Sequence, residues 1–170
     1  MSHHRIPGVV GWFLIFACHD ILAQGTAPYW GQVPVVLEVR LAALVARSDF
    51  RPATVFGTQD TVYLHSSVAL STRDLASAEL LDDQPFPALR VKLTPEAATR
   101  LARLTAAHVG EYLAIVLNGV AIGAPPIIAG AVSSDPTLPV WISLPELPRD
   151  AVPRLRTAVL ATWPPRPARQ

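Results

Sequence analysis

Apolar residues recur at two different periods along this chain, and the change of period marks its elements. Val35, Leu37, Val39 and Leu41 alternate with Val36, Glu38 and Arg40, the period of a strand with one face in water. A short strand is expected around Val62-Tyr63-Leu64, and another where Leu89, Val91 and Leu93 alternate with Arg90 and Lys92. From Thr94 the period lengthens: Ala97, Leu101, Leu104 and His108 recur at helical spacing, with Glu96, Arg100 and Arg103 on the other side. Thr94 suits the N-cap, Pro95 the first helical position, and Gly110 the left-handed residue beyond the end. Leu113 to Leu117 is apolar throughout and predicts a strand covered on both faces. Asn118-Gly119 then signals a two-residue hairpin, because a type I′ turn needs positive φ at both central positions. A return strand follows, and Pro125-Pro126 is expected to end it and stop the sheet pairing; Val140 to Leu144 is the last strand. Asp150 is expected to cap a final helix from Ala151, with Pro153 in its first turn and Val152, Leu155, Val159 and Trp163 on one face.

The connections are less regular. Thr26 to Gln32 is punctuated by Pro and Gly, and reads either as a tether or as a segment laid against the domain. Arg47 to Pro52 reads as a polar connection, and Asp82 to Pro87 as a loop. Leu70 to Leu75 predicts the opening of a short helix, with Ser71 as cap and Asp74 completing a capping box. Pro164 to Gln170 reads as a disordered Pro/Arg tail. The elements imply an α+β fold: a mostly antiparallel sheet with two or three helices packed on one face, in a single domain over residues 26–163.

Three segments, LTPEAATRLARLT, HVGEYLAIVLNG and IGAPPI, resemble the head of the first periplasmic domain of SecD/SecDF, the Sec translocase accessory protein. The resemblance runs from about Val62 to Ile142, with a weaker echo to Trp163, and supports the turn at Leu70 to Leu75. Asn118 stands where that family usually has Asp, and Gly123 where it usually has Ser or a similar small residue. These motifs are structural, so they speak to fold before activity. The resemblance implies contact with preprotein chains, not a motor, because the proton-driven part of a full translocase resides in its transmembrane helices.

Composition narrows the function further. At 170 residues the chain suits one domain, and its 17 prolines argue against a long-helix bundle. The net charge of +1, with no basic stripe interleaved by aromatics, gives nucleic-acid binding no support. Arg5 with His3 and His4, followed by the apolar run Val9 to Ala17, reads as an export signal; the run falls short of the ~20 apolar residues that span a bilayer. Cys18 is the sole cysteine, so no internal disulfide is expected. Ile15-Phe16-Ala17-Cys18 resembles a lipobox, which would make residues 1–17 the signal and Cys18 a lipidated N-terminus. Cleavage after Ala23-Gln24-Gly25 would instead make residues 1–25 an ordinary signal peptide. Either way the expectation is an exported, periplasmic protein; it would touch a membrane only on the first alternative, through a lipid at Cys18.

Candidate chemistry is thin. His65 stands beside Ser66 and Ser67, but neighbours in a strand point to opposite faces, and no nucleophile elbow surrounds them. His108 and Glu111 have no second pair of residues at metal-ligand spacing; His108 fits a helix C-terminus, where a cation is favoured. No phosphate or dinucleotide motif occurs. The expectation is a non-enzyme without cofactor or metal. The arginines at 149, 154, 156, 166 and 169 give the C-terminus a mild basic bias, read as a solvated face. What remains is a mismatch in the loop after the proline pair: Ile127, Ile128 and Val132 sit among Gly130, Ser133, Ser134, Asp135 and Pro136. Pro125, Pro126, Ile127, Ile128 and Val132 are therefore the candidate contact for an unfolded polypeptide, the alternative being that they fold back onto the core. The function expected is a protein- or peptide-binding module linked to preprotein translocation or envelope protein handling. The runner-up is an assembly protein of the envelope that holds one folded partner.

Overall fold

The computed structural model describes residues 29–82, 85–129 and 133–164. In chain order these form β1 (Leu37–Ala43), β2 (Phe50–Thr54), β3 (Thr61–His65), β4 (Leu70–Ser71), β5 (Leu75–Leu81) and β6 (Ala88–Leu93). There follow α1 (Pro95–Ala107), β7 (Tyr112–Leu117), β8 (Val120–Gly123), β9 (Val140–Ser143) and α2 (Val152–Thr162). The fold is α+β and antiparallel, and its strands divide into two sheets. One has the order β2-β3-β1-β7-β8 with β4 also beside β1; the other has the order β5-β6-β9.

β1 is the centre of the larger sheet. It pairs with β7 over six positions, so Leu37, Val39 and Leu41 share a face with Leu117, Ile115 and Leu113. That face meets the second sheet in the main core, together with Leu89, Val91 and Leu93 of β6. The opposite face carries Ala42 and Ala114, and by register Val62 and Ala121, all buried yet apart from the main core. These small side chains suit the inside of a curl, and the sheet does curl until its ends meet. Val55, just past β2, bridges Ala121 of β8 in parallel, and the Phe56 N–H donates to the Ala121 carbonyl at 2.8 Å.

α1 begins as its sequence dictates. The Thr94 side chain accepts from the Ala97 N–H at 3.3 Å, and Pro95 occupies the first turn. Its buried face is Ala97, Ala98, Leu101 and Thr105; Leu104 is only partly buried and His108 is the C-cap. Gly110 follows with φ of 89°. α2 packs along β5 and against the turn at Tyr29–Gly31. There Trp30 is 1% exposed and meets Phe56 edge-on at 5.3 Å, so the lead from residue 29 is laid against the domain. The Val35 N–H donates to Thr162 Oγ1 at 2.8 Å, and Arg156 pairs with Asp82, tying down the C-terminal end and the middle of α2.

Four local expectations are corrected. Residues 50–52, expected as part of the polar connection from Arg47 to Pro52, instead open the edge strand Phe50–Thr54; Pro52 obscured it, and an edge is where a strand tolerates Pro. The short helix expected from Leu70 is a single 3₁₀ turn, Thr72–Asp74, held by the Ser71–Asp74 capping box. β5 follows at once. A bulge between Leu75 and Ser77 sets its buried residues at Leu75, Ala78 and Leu80, an interval of three that reads as helical. Asp150 does not cap α2 through its side chain; it pairs with Arg154 at 2.9 Å, and a 3₁₀ turn at Arg149–Ala151 leads into the helix. Finally, Pro125 and Pro126 do not end the pairing beside β7: the Leu113 N–H donates to the Pro125 carbonyl, and Pro126 bridges Tyr112.

Candidate functional site

Between the two sheets lies a groove of about 300 Å³. Leu37 and Val39 of β1 with Leu113 and Ile115 of β7 form one wall; Val91 and Leu93 of β6 form the other. Leu101 and Thr105 of α1 contribute from a third side. Thr105 is the one buried polar residue among the described residues, and its hydroxyl donates to the Leu101 and Ala102 carbonyls of its own helix. No described residue lining the groove carries a charge. An apolar space of this size lies at the small end of the ~300–1,000 Å³ typical of ligand sites, which suits a few apolar side chains better than a cofactor.

The mouth of the groove is made by two extended segments. The first is Pro125–Ile128. Proline removes a donor but keeps its carbonyl, and the Leu113 N–H donates to the Pro125 carbonyl at 3.0 Å. Pro126 then sits opposite Tyr112. The Ile127 N–H donates to the Glu111 carbonyl at 2.7 Å, and its carbonyl accepts from Gly110 at 2.9 Å. Neighbours in such a segment point oppositely. Ile127 accordingly turns into the core at 3% exposure, while Ile128 stands at the mouth, 65% exposed. The second segment is β9, whose Val140, Trp141 and Ile142 line the opposite lip. Ile142 is buried, and Trp141, half exposed, lies 6.0 Å from the Arg90 guanidinium.

Pro125, Pro126, Ile127 and Ile128 are thus brought together at one groove, whereas Val132 lies outside the described residues, as do Cys18 and the whole of 1–28. The contributions of β9 and α1 were missed. Trp141 between two β-branched residues was the one signal for the β9 lip.

The remaining polar clusters have structural occupations. The Ser67 N–H donates to His65 Nδ1 at 3.0 Å, and the His65 ring stands edge-on to Phe50. Arg40 holds Glu38 and also donates to the carbonyls of His65 and Ser66. Glu111 Oε2 is buried 3.6 Å from both Arg47 Nη1 and His108 Nδ1, at the root of the Pro125–Ile128 segment. No group of three or more His, Cys, Asp or Glu side chains suited to a metal occurs among the described residues. Burial acts on the Asp74 carboxyl to raise its pKa, but hydrogen bonds from Ser71 and Arg100 outweigh this and hold it below the ordinary carboxylate range.

The β7–β8 turn is Asn118-Gly119, with φ of 48° and 85°. Asn118 also reaches across to β1: its Oδ1 accepts from the Val36 N–H and its own N–H donates to the Val36 carbonyl, both at 2.7 Å. Asp has the same acceptor, which explains physically why either residue serves here.

Residues 48–136, just over half of the chain, match the family model of the SecDF P1 head subdomain. The chain belongs to the SecDF P1 head family. Solved structures agree on the fold. A crystal structure of SecDF in its super-membrane-facing form is 24% identical, with a TM-score of 0.54 over 78% of this chain and 19% of that one. A structure of SecDF as a membrane component that enhances protein export is 22% identical, with a TM-score of 0.52 over 78% of this chain and 64% of that one. This chain therefore spans less than two thirds of either SecDF chain. No curated protein matches it. No helix among the described residues is long and apolar enough to cross a membrane. Outside the family match lie β1, the central strand, β9, one lip of the groove, and α2 with the turn at Tyr29–Gly31 that it packs against.

Proposed function

We propose that this SecDF P1 head-like chain is a non-catalytic, exported module that holds unfolded polypeptide segments in the groove between its sheets, as part of preprotein translocation or envelope protein handling. The observation that carries the reading is the groove itself: uncharged in its lining, about 300 Å³, and open at a mouth where Ile128 and Trp141 are exposed. Burying one apolar client side chain there contributes roughly 1.5–3 kcal/mol, so two or three give a weak, reversible grip of low sequence specificity. Residues 1–25, or 1–17 with Cys18 lipidated, would be the export signal, placing the domain of residues 26–163 in the periplasm with 164–170 as a tail.

The experiment is in-cell crosslinking of the full chain to a secreted, unfolded client, paired with the melting temperature of the purified protein. Ile128→Ser should leave melting near normal and remove most of the crosslinking. Unchanged crosslinking with normal melting would exclude this groove as the contact.

A second reading, an envelope assembly protein gripping one folded partner, draws on a different surface. Leu44, Val45 and Val109 are exposed on turns that the Arg47–Glu111 ion pair and the Ala42–Tyr112 pairing bring to one end of the larger sheet. Under that reading one partner would co-purify in fixed stoichiometry, and Val45→Ser with Val109→Ser would release it while Ile128→Ser would not.

A further inference from the structure

We infer that β9 is the strand to which a bound polypeptide adds: an extended, uncharged segment pairs its backbone with the open edge of β9 and sends every second side chain into the groove. The inference rests on the groove being the polypeptide site and specifies how that site holds its occupant.

The pairing of β6 with β9 decides which peptide groups face outward. The Leu144 N–H donates to the Pro87 carbonyl at 2.8 Å, just beyond the antiparallel register Ala88–Ser143, Leu89–Ile142, Arg90–Trp141 and Val91–Val140. Antiparallel ladders alternate, so residues 140, 142 and 144 turn their peptide groups toward β6. Trp141 and Ser143 turn theirs away. Among the described residues nothing pairs with those two N–H and two carbonyl groups.

Natural sheet edges are commonly blunted by charge, Pro, a bulge or a covering element. The other edges here follow that rule. β2 carries Pro52, the ends of the larger sheet close on each other through Val55 and Ala121, and α2 packs along β5. β9, with the sequence Val-Trp-Ile-Ser, carries none of these devices within its four residues; Pro139 stands just before it and bounds the open edge at that end. It is also the strand whose Val140 and Ile142 share the groove lining with Ile128.

The chemistry of the occupant follows from both features. Two outward residues offer up to four backbone hydrogen bonds, which any sequence except one blocked at nitrogen can take. The groove lining has no charge to pair with a charged side chain, and burying one unpaired is costly. The partner is thus an extended segment, apolar at alternate positions and neutral on that face.

The probe is a fluorescein-labelled peptide with Val or Leu at every second position and Thr between, titrated into the full chain by anisotropy. Two further peptides carry N-methyl groups on alternate peptide nitrogens, one in each frame. Only one frame faces a partner strand, so one methylated peptide should lose at least tenfold in affinity and the other little. Ser143→Pro should lose at least fivefold, with melting close to the parent because the Ser143 N–H points off the edge. Should that variant not fold, the two methylated peptides decide alone. Equal affinity of both methylated peptides, with binding still abolished by Ile128→Ser, would overturn strand addition and leave the groove as the site. No binding of the parent peptide would overturn both.

Discussion

Ile127 and Ile128 are adjacent, identical in chemistry and opposite in burial, so truncating each in turn tests the geometry of the groove's rim. Ile127→Ala removes about three buried carbons at a position 3% exposed. At ~0.8 kcal/mol per buried carbon group the transfer loss is about 2.4 kcal/mol. A cavity contribution adds to this, but the groove adjoins the site and gives neighbouring side chains room to relax, so a total of about 3 kcal/mol, low in the 2–5 range for Ile→Ala, is expected. For a domain of this size each kcal/mol lowers melting by about 4 °C, which makes the drop roughly 12 °C. Ile128, 65% exposed, retains only about a third of its transfer energy, so Ile128→Ala should cost under ~1 kcal/mol and shift melting by less than about 4 °C. Thermal unfolding by circular dichroism, with a urea titration to check that the slope is unchanged, measures both. Equal shifts for the two variants, or an Ile127→Ala shift under about 4 °C, would refute the assignment of Ile127 to the core and with it the placing of the rim.

The turn glycines should differ in sensitivity. Gly119→Ala meets no atom within 4 Å and should cost only the left-handed penalty of roughly 1–2 kcal/mol, while Gly57→Ala also drives its Cβ to 2.5–2.8 Å from Glu146 and should cost visibly more by denaturant midpoint. Asn118→Asp keeps the acceptor for Val36 and should melt within a few degrees of the parent, whereas Asn118→Ala loses it and should destabilise by about 1–2 kcal/mol; equal melting of the two variants would remove the cross-strand role. Because the folded pKa of Asp74 is depressed, its contribution is fully present above the ordinary carboxylate pKa and is lost as pH falls through the lower folded value. Stability measured from about pH 5 downward should therefore fall less steeply in Asp74→Asn, and an unchanged slope would argue against the pairing with Ser71 and Arg100. Intact mass of the exported protein should show a start at acylated Cys18 or near Thr26; a protein retaining Met1 in envelope fractions would sink the export reading.

The sequence alone determined the elements whose signals are local. Thr94, Pro95 and Gly110 bound α1 because capping and a left-handed exit depend on a few consecutive residues, and Asn118-Gly119 fixed a turn for the same reason. The alternation in β1 and β6 marked strands with one buried face, and the motifs around α1 and β7 carried the family. The tertiary structure alone decided what depends on partners distant in the chain. β2 exists because β3 pairs with it, despite a proline and little alternation. β5 is a strand because β6 pairs with it across a bulge that gives its buried residues a helical interval. Two sheets form where one was expected, because β6 and β7, consecutive around α1, pair with different partners. The rim followed the same division: composition flagged Ile127 and Ile128, but backbone bonds to Gly110 and Glu111 determined which faces the core and which the groove. The opposite lip, β9, became visible only when strand pairing left its edge open, because an unpaired peptide group is a property of what lies beside a residue and leaves no mark on the residue itself.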